Sequence, residues 1–131
     1  MAVYDCIIIG TGPAGLSAAL NMKIHGKEFR WFGSNELSSK VSRAEKILNY
    51  PGIPCATGEM LEEALQRHIR EMDLTITEAM VNSIMPMGDH YAAIAGADFY
   101  ETRTLILTTG VAQTGTLPGE AEYVGRGVSY C

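Results

Sequence analysis

Two sets of residues in this chain have types and spacing suited to chemistry: a cluster of glycines and three cysteines. The glycines fall in the run Gly10-Thr11-Gly12-Pro13-Ala14-Gly15, directly after the apolar stretch Cys6-Ile7-Ile8-Ile9. Gly-x-Gly-x-x-Gly at this place suits the binding of a pyrophosphate. Gly10 permits a tight turn out of a strand. Gly12 has no side chain to hold a phosphate off the backbone, and Gly15 lets the next helix pack close to the sheet. The phosphates then face the positive end of that helix and its unpaired N–H groups. The spacing alone is a weak signal; its position between a strand and a helix is what points to a dinucleotide site rather than a bare structural turn.

The cysteines are Cys6, Cys55 and Cys131. An odd count with no framework spacing argues against structural disulfides. Cys6 lies within the first strand and reads as a buried, inert thiol. Cys55 sits in a Pro/Gly-rich loop and reads as a bystander. His68 falls on a helix with no Cys or His at metal-ligand spacing beside it, so no metal site is expected.

These residues must be positioned by an α/β arrangement. Tyr4 to Ile9 reads as a buried strand, because it is nearly continuous in apolar residues. A helix from Pro13 to about His25 follows, with Leu16, Ala19, Leu20 and Ile24 at helical spacing and Gly26 as its stop. Lys27 to Phe32 reads as a second strand, closing a right-handed crossover. Ser34 to Tyr50 reads as polar and irregular, and Pro51-Gly52-Ile53-Pro54 as a turn. A second helix spans Gly58 to Met72, with Thr57 as N-cap and Leu61, Ala64, Leu65, Ile69 and Met72 as its apolar face. From Leu74 the period changes to two. Leu74 to Ile84 reads as one strand or two, Gly88-Asp89 as a two-residue hairpin turn, Asp98 to Glu101 as a further short strand, and Thr104 to Leu107 as another buried strand.

The 131 residues suit one domain, and 47% hydrophobic residues suffice for a core. A formal net charge of −5 draws the chain neither to nucleic acid nor to an anionic membrane. The first apolar run is too short to span a bilayer and lacks a basic leader, so a soluble cytoplasmic protein is expected. One nucleotide signal is missing. Sites for NAD carry an acid at the end of the second strand, which holds the ribose hydroxyls. Here that strand ends Trp31-Phe32-Gly33-Ser34-Asn35, and Glu36 comes two residues late. Ser34, Asn35, Lys40 and Arg43 either contact ribose or phosphate or form a solvated loop. Thr108-Thr109-Gly110 ends a strand where ligands bind in such sheets.

The order of Gly10-Thr11-Gly12-Pro13-Ala14-Gly15, Asn49-Tyr50-Pro51-Gly52, Thr108-Thr109-Gly110, Leu117-Pro118-Gly119-Glu120 and Gly125-Arg126-Gly127-Val128-Ser129-Tyr130-Cys131 resembles the N-terminal part of bacterial-type, low-molecular-weight thioredoxin reductases. The first motif is shared by many flavoproteins; the Asn-Tyr-Pro-Gly turn and the final run are more specific. The resemblance implies an α/β, Rossmann-like FAD/NAD(P)-binding three-layer domain: a parallel sheet with a small antiparallel β-meander, incomplete at its C-terminus. It implies a bound FAD, its pyrophosphate cradled by Gly10, Thr11, Gly12, Pro13, Ala14 and Gly15. Gly33, Ser34, Asn35 and Lys40 would lie along the adenosine side. Asn49 would approach the flavin, the Val81 backbone would meet the adenine, and Thr109 and Gly110 would line the pocket. Family members pass electrons from NADPH or ferredoxin through FAD to a Cys-x-x-Cys pair and on to thioredoxin or a similar small disulfide protein, and form homodimers. Cys131 matches the first cysteine of that pair, where a thiolate is required.

The resemblance divides the chain into a FAD-binding domain over 1–112 and, over 113–131, a hinge and the start of an NADPH/dithiol domain. The second cysteine, the NADPH domain and the returning part of the FAD domain are not in the sequence. This chain alone is therefore expected to be inactive, with an unpartnered sheet edge and a poorly ordered tail. Glu36-Leu37-Ser38-Ser39-Lys40 replaces the Gly-Gly-Gln-Leu of many relatives and fits relatives that use ferredoxin. The alternatives are a truncated nucleotide-binding module without catalysis, or another pyridine-nucleotide flavoprotein reductase.

Overall fold

The computed structural model describes residues 3–111, 118–123 and 126–127. Its first strand, β1 (Val3–Ile9), has Cys6, Ile7 and Ile8 all at most 1% exposed. Neighbouring side chains on a strand point to opposite faces, so this part of β1 is covered on both sides, which is why Cys6-Ile7-Ile8 is an unbroken apolar run. Helix α1 (Pro13–Ile24) follows the glycine turn and stops at Gly26, whose φ of +63° suits glycine. Strand β2 (Phe29–Phe32) runs parallel to β1, from Cys6 opposite Phe29 to Ile9 opposite Phe32. It begins two residues later than expected because the Lys27 N–H still donates to the Met22 carbonyl of the helix end (3.0 Å).

The polar stretch after β2 is not wholly irregular. It contains a short helix, α2 (Ser39–Ser42), whose N-cap Ser38 accepts from the Val41 N–H at 3.4 Å. Helix α3 (Gly58–Glu71) starts as expected, with the Thr57 hydroxyl accepting from the Met60 N–H at 3.2 Å. Met72 is its C-cap rather than its last turn. Leu61, Leu65 and Ile69 are buried, Ala64 and Met72 half-buried, and His68 exposed.

Residues 74–80 form no strand of their own. Thr77 alone bridges, parallel, to Phe32, with its N–H on the Trp31 carbonyl (2.7 Å) and its carbonyl receiving the Gly33 N–H (3.2 Å). Strands β3 (Val81–Pro86) and β4 (Tyr91–Ala95) form the expected hairpin around Gly88-Asp89, closed by the Met87 N–H on the His90 carbonyl (2.9 Å).

The two short strands expected after Gly96-Ala97 are one ten-residue strand, β5 (Asp98–Leu107). Its first half, Asp98 to Thr102, pairs antiparallel with β4, and Glu101 to Leu107 pairs parallel with β1. Thr102 is fully buried at the changeover, its hydroxyl within reach of the Tyr4 (3.2 Å) and Thr104 (2.9 Å) carbonyls. The strand order is β2-β1-β5-β4-β3. The second half of β5 is less covered than expected of a buried strand: Leu105 and Ile106 are half-buried and Leu107 is 62% exposed. Among the described residues, no strand pairs with the outer edge of Arg103–Leu107.

Three layers result, as expected of a Rossmann-like domain. On one face Cys6, Ile8 and Trp31 pack with Leu16 and Ala19 of α1 and Leu61, Leu65 and Ile69 of α3. On the other face the meander meets the sheet: Ile7 and Phe32 cluster with Ala93 and Ala95, and the Phe32 ring meets Tyr100 edge-on at 5.0 Å. Burying a side chain the size of Ile7 or Phe32 contributes roughly 1.5–3 kcal/mol, so both layers hold the sheet.

Candidate functional site

The site begins where β1 ends. Gly10 has φ +113°, and a Cβ there would lie 2.2 Å from the Thr108 carbonyl oxygen, so no other residue fits without moving the backbone. A Cβ on Gly15 would fall 1.9 Å from the Gly10 carbonyl, which is how closely α1 approaches the turn. Gly12 is the opposite case. A Cβ there would meet nothing within 4 Å, so its missing side chain leaves open space at the mouth of the cleft. Gly12 offers α1 no side-chain cap and Pro13 has no N–H. The Leu16 N–H bonds the Gly12 carbonyl (3.0 Å), which leaves the N–H groups of Ala14 and Gly15 for an anion. The residues present fit a pyrophosphate.

The turn is braced from several directions. The Gly10 N–H donates to the Phe32 carbonyl (2.8 Å), and the Trp31 indole N–H donates to the Gly10 carbonyl (2.8 Å). The Thr108 hydroxyl is within reach of the Ile9 (2.9 Å) and Gly10 (3.1 Å) carbonyls. Buried Thr11 donates to the Leu37 carbonyl (3.2 Å) and accepts from the Ser34 N–H (3.1 Å), so its hydroxyl ties the glycine turn to the loop after β2. Sequence reasoning missed the bracing by Trp31. An indole one residue before the end of a strand that adjoins a glycine turn is the signal that was there.

The cleft above this turn has a volume of about 720 Å³. Of the residues singled out in the sequence, Gly10, Thr11, Gly12, Pro13, Ala14, Gly33, Ser34, Lys40, Thr109 and Gly110 line it. Gly15 lies buried behind it. A second pocket of about 500 Å³ shares Gly10, Gly33, Ser34 and Thr109 and adds Glu78 and Val81. Asn35 lines neither; its amide N–H donates to Glu78 Oε2 at 2.9 Å. Asn49 is not brought to the cleft. It is exposed on the loop closed by the Ile47–Ala56 bridge, whose two backbone bonds hold the loop shut on itself. Cys131 lies outside the described residues.

Charge is sparse in the main cleft. Lys40 and Glu36 are its charged lining residues, and the Lys40 ammonium donates to the Val111 carbonyl (2.7 Å), which spans the mouth from α2 to the segment after β5. Cys6 is buried and burial pushes its thiol above the usual range, so it carries no thiolate chemistry. Cys55 is exposed. Among the described residues no group of three or more His, Cys, Asp or Glu is placed to hold a metal, and no helix is long and apolar enough to cross a membrane.

A glycine turn that presents helix N–H groups at the carboxyl end of a parallel sheet, with the adjoining strand end as the opposite wall, defines a dinucleotide-binding α/β domain. The sequence matches the pyridine nucleotide-disulphide oxidoreductase family over residues 4–131, and the chain belongs to that family. It is similar to the thioredoxin reductase of Bacillus subtilis (strain 168), with 28% identity over 130 residues, 98% of this chain and 41% of that one. Among solved structures it resembles a ferredoxin–flavin thioredoxin reductase from Clostridium acetobutylicum: 44% identity, a TM-score of 0.84, and 100% of this chain against 46% of that one. A thioredoxin reductase from Streptococcus pyogenes MGAS5005 is 30% identical at a TM-score of 0.79, covering 99% of this chain and 43% of that one. The chain thus spans a little under half the length of these relatives.

Proposed function

We propose that this chain is the FAD-binding portion of a thioredoxin-reductase-like flavoprotein disulfide oxidoreductase. The observation that carries the reading is the joined pair of pockets. One is floored by Gly10, Gly12 and Ala14 and walled by Thr108-Thr109-Gly110; the other leads from Gly33 and Ser34 to Val81. A dinucleotide needs such a path: a phosphate cradle, a ribose platform and a base pocket in sequence. Gly12, Ala14 and Gly15 would hold the pyrophosphate, Gly33 and Ser34 the adenosine side, and the Val81 backbone the adenine. When bound, the flavin supplies the two-electron chemistry. The chain's own residues orient it and line one side of its cleft.

In the whole protein the electrons would come from NADPH or ferredoxin and leave through a dithiol that begins at Cys131, toward thioredoxin or a similar disulfide protein. The neighbour from Clostridium acetobutylicum, described as a ferredoxin–flavin enzyme, supports ferredoxin as donor. The proposal extends to a cytoplasmic homodimer. The test is the visible absorption spectrum of the protein, expressed at its native length, after addition of FAD and desalting. A retained flavin band at one equivalent is expected; a colourless folded protein would favour a nucleotide-binding module without flavin chemistry.

A further inference from the structure

The acid that ordinarily ends the second strand of a dinucleotide fold is missing here, and the residue at that place is Gly33. The structure puts a carboxylate beside it from another part of the chain. Thr77 pairs with Phe32, the last residue of β2, through the Thr77 N–H on the Trp31 carbonyl (2.7 Å) and the Gly33 N–H on the Thr77 carbonyl (3.2 Å). Glu78 is therefore to Thr77 what Gly33 is to Phe32: the next residue at the same level of the sheet, one chain segment over.

We infer that Glu78 takes the place of the missing strand-end acid and binds the adenosine ribose hydroxyls of the dinucleotide. The inference rests on the dinucleotide reading above. In such a ligand the ribose joins the base to the pyrophosphate, so it must lie where the two pockets meet. They share Gly10, Gly33, Ser34 and Thr109, and Glu78 lines the base-side pocket together with Gly33 and Ser34. The carboxylate is held in advance. Asn35 Nδ2 donates to Oε2 (2.9 Å), and the Asn35 carbonyl is fixed by Gln66 Nε2 of α3 (2.8 Å). No described residue bonds Oε1, which remains to accept from a hydroxyl. Glu36 is the competing acid, but it lines only the phosphate-side cleft, with Lys40, where a carboxylate would oppose the pyrophosphate charge. Asn35 is a positioning residue: it acts through Glu78.

The test is calorimetric titration of the protein at native length with ADP, 2′-deoxy-ADP and 3′-deoxy-ADP, in the wild type and in Glu78→Ala, Asn35→Ala and Glu36→Ala. A hydrogen bond from a hydroxyl to a carboxylate is worth about tenfold or more in affinity. The wild type is expected to prefer ADP over at least one deoxy analogue by about that factor. Glu78→Ala should bind all three alike, Asn35→Ala should show a reduced preference, and Glu36→Ala should keep it. Glu78 is exposed, so its removal leaves the fold intact, checked by circular dichroism. Retention of the full preference in Glu78→Ala, or its loss in Glu36→Ala, overturns the inference. A wild type that binds ADP without discrimination overturns it and leaves the dinucleotide reading standing, whereas a wild type that binds neither ADP nor FAD overturns both.

Discussion

The glycine turn over 10–15 and the Asn49-Tyr50-Pro51-Gly52 turn are both strong sequence signals, and the structure treats them differently. The first is braced by Phe32, Trp31 and Thr108 around Gly10 and by Ser34 and Leu37 around Thr11. The second is closed by reciprocal bonds between Ile47 and Ala56 (2.7 and 3.1 Å) and rests on the core through the half-buried Tyr50 and Ile53, with Asn49 in solvent. A motif that works through backbone shape is assembled by contacts close to it in space. A motif that works through one side chain reaching a ligand depends on placement that its own loop does not supply.

The sharpest way to test this contrast is at Gly10. Gly10→Ala is expected to destabilise the fold by about 3 kcal/mol or more, from a disfavoured φ and a clash with the Thr108 backbone, seen as a lower urea midpoint. Gly12→Val has open space around it and should leave the midpoint within about 0.5 kcal/mol while removing the retained flavin band, since its side chain would occupy the cleft mouth. Equal stability losses at the two glycines would break the comparison. Thr11→Val should cost about 1–3 kcal/mol, because the Ser34 N–H and Leu37 carbonyl lose their partner. Asn49→Ala should change stability by less than about 0.5 kcal/mol; a larger loss in thermal denaturation would mean that the loop is fixed by more than its own bonds.

Smaller still is a pH effect at the hairpin, far from both motifs. The hydrogen bond to Asp89 (2.8 Å), opposed by desolvation and helped by Glu101 (3.4 Å), holds His90 above its ordinary pKa of 6.5. A raised folded pKa means that protonated His90 contributes stability in full below 6.5, and that the contribution is lost as pH rises through the folded value. Asp89 is lowered by the same bond, so its contribution is present above 3.8 and is lost as pH falls through its folded value. An NMR titration should place the His90 midpoint above 6.5, moving down in Asp89→Asn.

Most of the framework was legible in the sequence because backbone constraints select residue types. The strand–glycine–helix run, the Thr57 cap, the Gly26 stop and the Gly88-Asp89 hairpin each follow from a position that few residues can fill. Three features were not legible, for separate reasons. Thr102-Arg103 separates the two expected strands, yet Thr102 is buried where β5 changes partner and its hydroxyl is satisfied by strand carbonyls, so the sequence pattern divides a strand that geometry keeps whole. Glu78 carries no local signal, because its nearness to Gly33 depends on the Thr77–Phe32 pairing between distant segments. The third is the lie of the Asn49-Tyr50-Pro51-Gly52 loop, whose residues define the turn but not its direction relative to the cleft.

The continuity of β5 sets which changes of length this protein tolerates. One strand of ten residues, roughly 33 Å of chain, runs from the meander to the wall of the cleft with no loop between them. A residue added at the Gly88-Asp89 tip lies beyond the paired strands and alters a surface loop. A residue added between Thr102 and Thr104 shifts the rest of the strand by one, turning Leu105 and Ile106 to opposite faces and carrying Thr108 away from the Gly10 carbonyl. In variation at this locus, insertions should collect at the hairpin tip and be absent from the middle of β5.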